Sequence, residues 1–147
     1  LIATFYRQTL FASYEYQAHN LAINNQPITC DSLSNIMKNL YQTYYGIDLN
    51  NEPYKEFVWC YIPHLYHTPF YVYQYATSFA TSLAIYEKVK NHEENAFENY
   101  LNLLKAGGSD FPVELIKKAG VDLTNEKAFL AVVKRLEFLV NELEKLL

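Results

Sequence analysis

The residues best suited to chemistry are gathered in one stretch, Ile62-Pro63-His64-Leu65-Tyr66-His67-Thr68-Pro69-Phe70-Tyr71-Val72-Tyr73-Gln74-Tyr75. Two prolines restrict the backbone there, so two histidines and several tyrosines sit on a stiff segment. A phenol has a pKa near 10 and stays protonated at neutral pH. It can therefore donate a hydrogen bond to an oxygen on which negative charge develops. Loss of one such donor typically costs on the order of 10²–10³ in rate. The plain alternative for the same residues is aromatic packing with satisfied hydroxyls. Tyr66 and Tyr73 lie seven apart, which two helical turns would align, but Pro69 between them argues against one continuous helix.

Other chemistries fit the sequence poorly. There are four histidines, His19, His64, His67 and His92, and a catalytic zinc site usually takes three protein ligands. His92-Glu93-Glu94-Asn95-Ala96 begins like a zinc-peptidase helix motif, but Ala96 stands where the second histidine is needed. His64 and His67 are three apart, with no cysteine or carboxylate near them in sequence. No metal ligand is expected from this chain. Cys30 and Cys60 form no disulfide framework and no zinc-finger pattern. Gly107-Gly108-Ser109 is too short for a phosphate loop and reads as a helix stop followed by a cap.

The elements that must position these groups read as helices. Leu1 to about Asn25 is one helix, with Phe5, Leu10, Phe11, Tyr14 and Ala18 near one face, ended by Pro27. Thr29 caps the next, with Asp31 in its first turn and Gly46 at a left-handed C-terminal cap. A loop follows from Ile47 to about Glu56. Thr68-Pro69 then has the form of a helix start, threonine as cap and proline at the first helical position, for a helix running to about Asn91. Ala76, Ala80 and Ala84 form a small-residue ridge on it. A further helix covers about Glu94 to Lys105. Ser109 or Asp110 caps a short one ending near Gly120, and Thr124 caps the last. The last helix carries an apolar stripe of Phe129, Val132, Val133, Leu136, Leu139, Val140, Leu143 and Leu147. No segment alternates like a half-buried strand, so the fold class is all-α.

Composition narrows the partners. Half of the 147 residues are apolar, enough for a sizeable core, and the length suggests about one domain. The net charge of −4 argues against nucleic acid, which calls for a lysine and arginine excess. The apolar runs are too short for a membrane span, and no charged-then-apolar leader is visible. Two unpaired cysteines fit a reducing, cytoplasmic compartment. The first residue, Leu1, runs straight into a helical pattern without a cap, as expected of a piece of a longer chain.

Several motifs, in order, carry a family resemblance. These are Phe5-Tyr6-Arg7-Gln8-Thr9-Leu10-Phe11-Ala12 with Tyr14-Glu15, then Tyr44-Tyr45-Gly46, then Trp59 through Ile62-Pro63-His64. Pro69-Phe70-Tyr71-Val72-Tyr73-Gln74-Tyr75-Ala76-Thr77, Leu104-Lys105-Ala106-Gly107-Gly108-Ser109 and Ala119-Gly120-Val121-Asp122 complete the set. Together they resemble the C-terminal part of oligoendopeptidase F in the thimet-type family of zinc oligopeptidases, over essentially residues 1–147. The resemblance implies the multi-helix C-terminal region of a zincin-like catalytic domain. It also implies that zinc is held by a His-Glu-x-x-His motif and a downstream glutamate, all outside this chain. His64 and Tyr66 are then implied to touch substrate, and Tyr73 to donate to the tetrahedral oxyanion. His67 competes with His64, and Tyr71 with Tyr73, for these places. The thimet branch has a glycine-rich loop between the histidine and its first tyrosine; here that stretch is shorter and lacks glycine.

The expectation is a cytoplasmic zinc oligoendopeptidase acting on short peptides. This region would pack against the rest of the same polypeptide and be inactive alone. The rival expectation is a non-catalytic helical module whose tyrosine-rich surface binds a peptide or protein.

Overall fold

A computed structural model describes residues 1–147, apart from the side chain of Asn50. Among the described residues the chain is built of helices joined by turns and forms no strand. It divides into two compact units, Ile2–Ala76 and Thr77–Leu147, the latter taken with Leu1.

In the first unit a π-helical turn, Ile2–Tyr6, runs into helix α1, Arg7–Ile23. Leu10, Phe11, Tyr14 and Glu15 are its buried residues. Asn25, just past the helix end, takes a left-handed φ of 53° that asparagine tolerates. Helix α2, Cys30–Tyr45, begins at the expected cap. The Ser32 N–H donates to Thr29 Oγ1 (3.1 Å) and the Thr29 N–H donates to Ser32 Oγ (2.8 Å), a reciprocal capping box. It ends at Gly46, whose φ of 65° needs no Cβ clearance. The stretch read as a loop contains a short 3₁₀ turn, Leu49–Asn51, and a longer one follows at Lys55–Tyr61.

Leu10 and Met37 are fully buried, and Phe11, Tyr14, Leu40, Val58, Ile62 and Val72 complete the core around them. That core joins α1 and α2 to both ends of the aromatic segment. Helix α3, His64–His67, is a single turn opened by Pro63.

Helix α4, Tyr73–Lys90, starts four residues later than Thr68-Pro69 suggested. Phe70 takes a left-handed φ of 57°, which no α-helix accommodates, and its N–H is captured by Glu15 from α1. A tertiary hydrogen bond thus overrides the local start signal. Ala76 and Ala80 on α4 are buried.

In the second unit α5, Ala96–Ala106, stops at Gly107, and α6, Pro112–Lys118, is entered through Phe111 with Pro112 at its first position. Asp110 is no helix cap. It accepts from the Phe111 N–H and pairs with Lys118 at 2.7 Å. Nor does Thr124 cap the last helix, α7, Lys127–Glu144. Thr124 donates to Asp122 through both its N–H and its hydroxyl, and Asn125 accepts from the Lys127 N–H instead. Ile85, Ala119, Val121 and Ala128 make this unit's core, and Val132 is buried as well. Farther along α7 the stripe lies open: Val140 and Leu143 are about half exposed and Leu147 almost fully. No helix in the described residues is long and apolar enough to cross a membrane.

Met37→Ala should cost about 2–5 kcal/mol, whereas Thr29→Ala should cost about 1 kcal/mol. Urea unfolding of both variants checks the order. A smaller loss at Met37 than at Thr29 would contradict the core described for this unit.

Candidate functional site

The aromatic segment is seated in the core at both ends and held at Phe70 between them. Ile62 and Val72 are buried at 8% and 1% exposure, while Tyr66 and Phe70 are exposed at 53% and 51%. The backbone between them is locally satisfied. The Tyr66 and His67 N–H groups donate to Pro63 O, and the Thr68 N–H donates to His64 O. Past the turn, the Gln74 and Tyr75 N–H groups donate to the carbonyls of Tyr71 and Val72.

Glu15, only 3% exposed, accepts the Phe70 N–H at 2.6 Å across 55 residues of sequence. One turn further along α1, His19 donates through Nδ1 to the Glu15 carbonyl (2.9 Å), and its ring packs on that of Phe70 at 4.6 Å. One face of α1 therefore grips Phe70 by main chain and by side chain. In the sequence Glu15 stands out only as part of a motif, and His19 only as one of four histidines. Their spacing of four on one helix was the available signal.

The expected site residues fall into different surroundings. His64 stacks almost parallel on Tyr71, with centroids 5.2 Å apart at 5°. Tyr75 stands edge-on to both, at 6.1 Å from His64 and 5.4 Å from Tyr71. The Tyr71 hydroxyl, hydrogen-bonded to that of Tyr75, holds the Tyr75 phenol above its usual pKa, with burial adding to it. Tyr75, missed in the sequence reading as a site residue, thus completes a three-ring cluster. The signal for it was its spacing of four from Tyr71 across the start of α4.

Tyr66 is not part of this cluster. Its hydroxyl donates to the Trp59 carbonyl at 3.0 Å, and burial raises its pKa, with the Cys60 thiol adding to the effect. Trp59 in turn donates through Nε1 to Ser34 Oγ (3.3 Å) and stacks on Tyr14. Tyr66, Trp59, Tyr14, Leu33 and Leu65 line a small apolar cavity of about 110 Å³, at which Glu15 and His19 also lie. Tyr73 opens α4 and is half exposed; His67 is exposed on α3. His64, Tyr71 and Tyr75 are brought together, whereas His67, Tyr66 and Tyr73 stand around them on the same segment.

Among the described residues no group of three or more His, Cys, Asp or Glu side chains lies close enough to hold a metal ion. Zinc, which the resemblance implies, therefore finds no ligand set among them.

An all-helical chain with a proline-braced His/Tyr segment is the arrangement expected of the zinc oligopeptidases it resembles. The family model for peptidase family M3 matches residues 2–135. The chain belongs to peptidase family M3. It is 36% identical over 146 residues to an oligoendopeptidase F homolog of Borreliella burgdorferi, covering 99% of this chain and 25% of that protein. It is 35% identical to oligopeptidase PepF of Bacillus subtilis, covering 98% of this chain and 21% of that protein. The crystal structure of oligoendopeptidase-F from Enterococcus faecium matches with a TM-score of 0.92 and 41% identity, covering 99% of this chain and 28% of that one. The chain thus spans about a quarter of the length of the relatives it matches.

Burial drives the Tyr14 phenol far above its usual pKa, with Tyr66 and the thiols of Cys60 and Cys30 adding to the shift. A group whose folded pKa is raised contributes stability that is complete below its unfolded value, about 10. That contribution is lost as pH rises from there toward the folded value. Stability should therefore hold level to about pH 10 and then fall, and Tyr14→Phe should make the fall shallower. Melting temperatures across an alkaline pH series test this; an equally steep fall in the variant would contradict it.

Proposed function

We propose that residues 1–147 are the C-terminal helical region of the catalytic domain of a cytoplasmic zinc oligoendopeptidase that hydrolyses short peptides. Membership of family M3 supports this, as do the names of relatives that extend well beyond the matched region. In this reading zinc is bound by residues outside the chain, the rest of the same polypeptide forms the other side of the cleft, and this region is inactive alone. The observation that carries the reading is the His/Tyr segment, fixed at Ile62, Phe70 and Val72 with Tyr66 and Tyr73 about half exposed.

The rings then divide the work. His64 is oriented by its stack on Tyr71 and serves the substrate backbone through a ring nitrogen. Tyr73 is the catalytic donor to the oxyanion, with the developing charge received by a neutral phenol. Tyr66, His67 and Tyr71 contact the substrate. Tyr66 has one hydroxyl proton and already donates it to the Trp59 carbonyl. It therefore offers a peptide its ring and its oxygen lone pairs rather than a donor. Tyr71, stacked on His64 with Tyr75 edge-on to it, competes with Tyr73 for that role.

The second reading, a helical module that binds peptides without cleaving them, rests on the half-exposed aromatic surface at Tyr66, Phe70 and Tyr73. In the full-length protein, Tyr73→Phe should lower kcat by on the order of 10²–10³ while changing KM little. Cleavage of a quenched fluorescent peptide gives both constants. An unchanged kcat removes Tyr73 from the chemistry, and no cleavage by the unmodified protein favours the binding module.

A further inference from the structure

The second unit carries a groove unlike the rest of the chain. It has a volume of about 470 Å³ and lies between the end of α4 and the stretch of α7 from Lys127 to Phe138. Lys90 from α4 and Lys127, Lys134 and Arg135 from α7 line it, against a single carboxylate, Glu87. Four of the chain's 12 lysines and arginines thus face one cavity in a protein of net charge −4. The ion pairs among the described residues join other partners, so none of these four cations is neutralised by a described carboxylate.

The groove is not uniformly polar. Leu130 and Phe138 line it and are 42% and 49% exposed, and the Arg135 guanidinium lies 5.0 Å over the Phe138 ring. That cation–π contact places Arg135 beside an apolar patch, and a guanidinium fork suits a carboxylate. The open apolar stripe of α7 continues from there through Leu139 and Val140.

We propose that this groove binds an acidic segment of a separate partner protein, one that carries apolar residues between its carboxylates. Charge complementarity selects the carboxylates, and Leu130 with Phe138 receives the apolar side chains. A nucleic acid fits less well, since the chain's overall charge opposes a polyphosphate and the floor of the groove is aliphatic as well as aromatic. The inference does not rest on the reading of the His/Tyr segment.

The test uses the full-length protein with a neutral chelator present, so that no probe is cleaved. A rhodamine-labelled peptide of alternating glutamate and leucine should bind, as read by fluorescence anisotropy, and weaken as salt screens the charges. Lys90→Glu and Lys134→Glu, on opposite walls, should each weaken binding about tenfold while melting temperatures hold. A glutamine–leucine analogue that binds equally well would overturn the proposal, as would charge reversals without effect in folded variants. Tighter binding of pyrophosphate or of a single-stranded oligonucleotide than of the acidic peptide would overturn it too.

Discussion

A single main-chain N–H, that of Phe70, and the buried carboxyl that receives it hold the candidate site in shape. A non-glycine residue in the left-handed region costs about 1–3 kcal/mol. A hydrogen bond contributes about 1 kcal/mol, and a buried donor left unsatisfied costs about 1–3 kcal/mol. Those magnitudes are comparable, so the Phe70 turn persists because Glu15 is there to meet it. Glu15 in turn can be buried because it has this donor to meet, since a polar group without a partner is costly inside. Each half makes the other tolerable. The contact spans 55 residues of sequence, so it ties the first helix to the segment that carries the phenols.

That tie explains the late start of α4. Continuing helix from Pro69 would carry Phe70 into right-handed geometry and withdraw its N–H from Glu15. Breaking the helix between Thr68 and Val72 instead separates two short rows of side chains. One row is presented from α3, the other from the first turn of α4. His64 on the first row and Tyr71 just before the second are then close enough to stack. A single straight helix would set these two residues on a fixed spiral, with no such freedom. The break is therefore what makes a ring cluster possible.

Much of this was legible in the residues, and what was not has a physical cause. The caps at Thr29 and Gly46 were readable because each is local: a side chain meets a backbone group three residues away, or a glycine occupies a left-handed position. Pro69 correctly signalled that the helix does not run through. The helix start at Thr68 and the caps at Ser109 or Asp110 and at Thr124 were misread. In each case a competing partner won: Glu15 for the Phe70 N–H, Lys118 for Asp110, and Asp122 for Thr124. The α7 stripe is a different matter. Periodicity tells which residues share a face but not whether anything in the described chain covers that face. Among the site residues, sequence placed the histidines and tyrosines on one segment. It could not rank His64 against His67, or add Tyr75, because ring stacking depends on the turn that Glu15 sets.

In the proposed reading a tyrosine stabilises developing charge, and such a donor is useful only if it need not be reorganised when the charge appears. Tyrosine suits that demand, since it has few rotatable bonds and a large ring that neighbours can hold. Here the neighbours are supplied in depth. Val72 is seated in the core, Tyr71 is held against His64 and Tyr75, and Tyr66 is fastened to the Trp59 carbonyl, with Trp59 itself bonded to Ser34 on α2. Loosening any layer would leave the same residues present but let their hydroxyls wander by rotation of the backbone beneath them. For this reason the aromatic excess of the sequence belongs as much to the support as to the tips. A second layer of rings and one buried carboxyl set the backbone from which the half-exposed Tyr66, Phe70 and Tyr73 project.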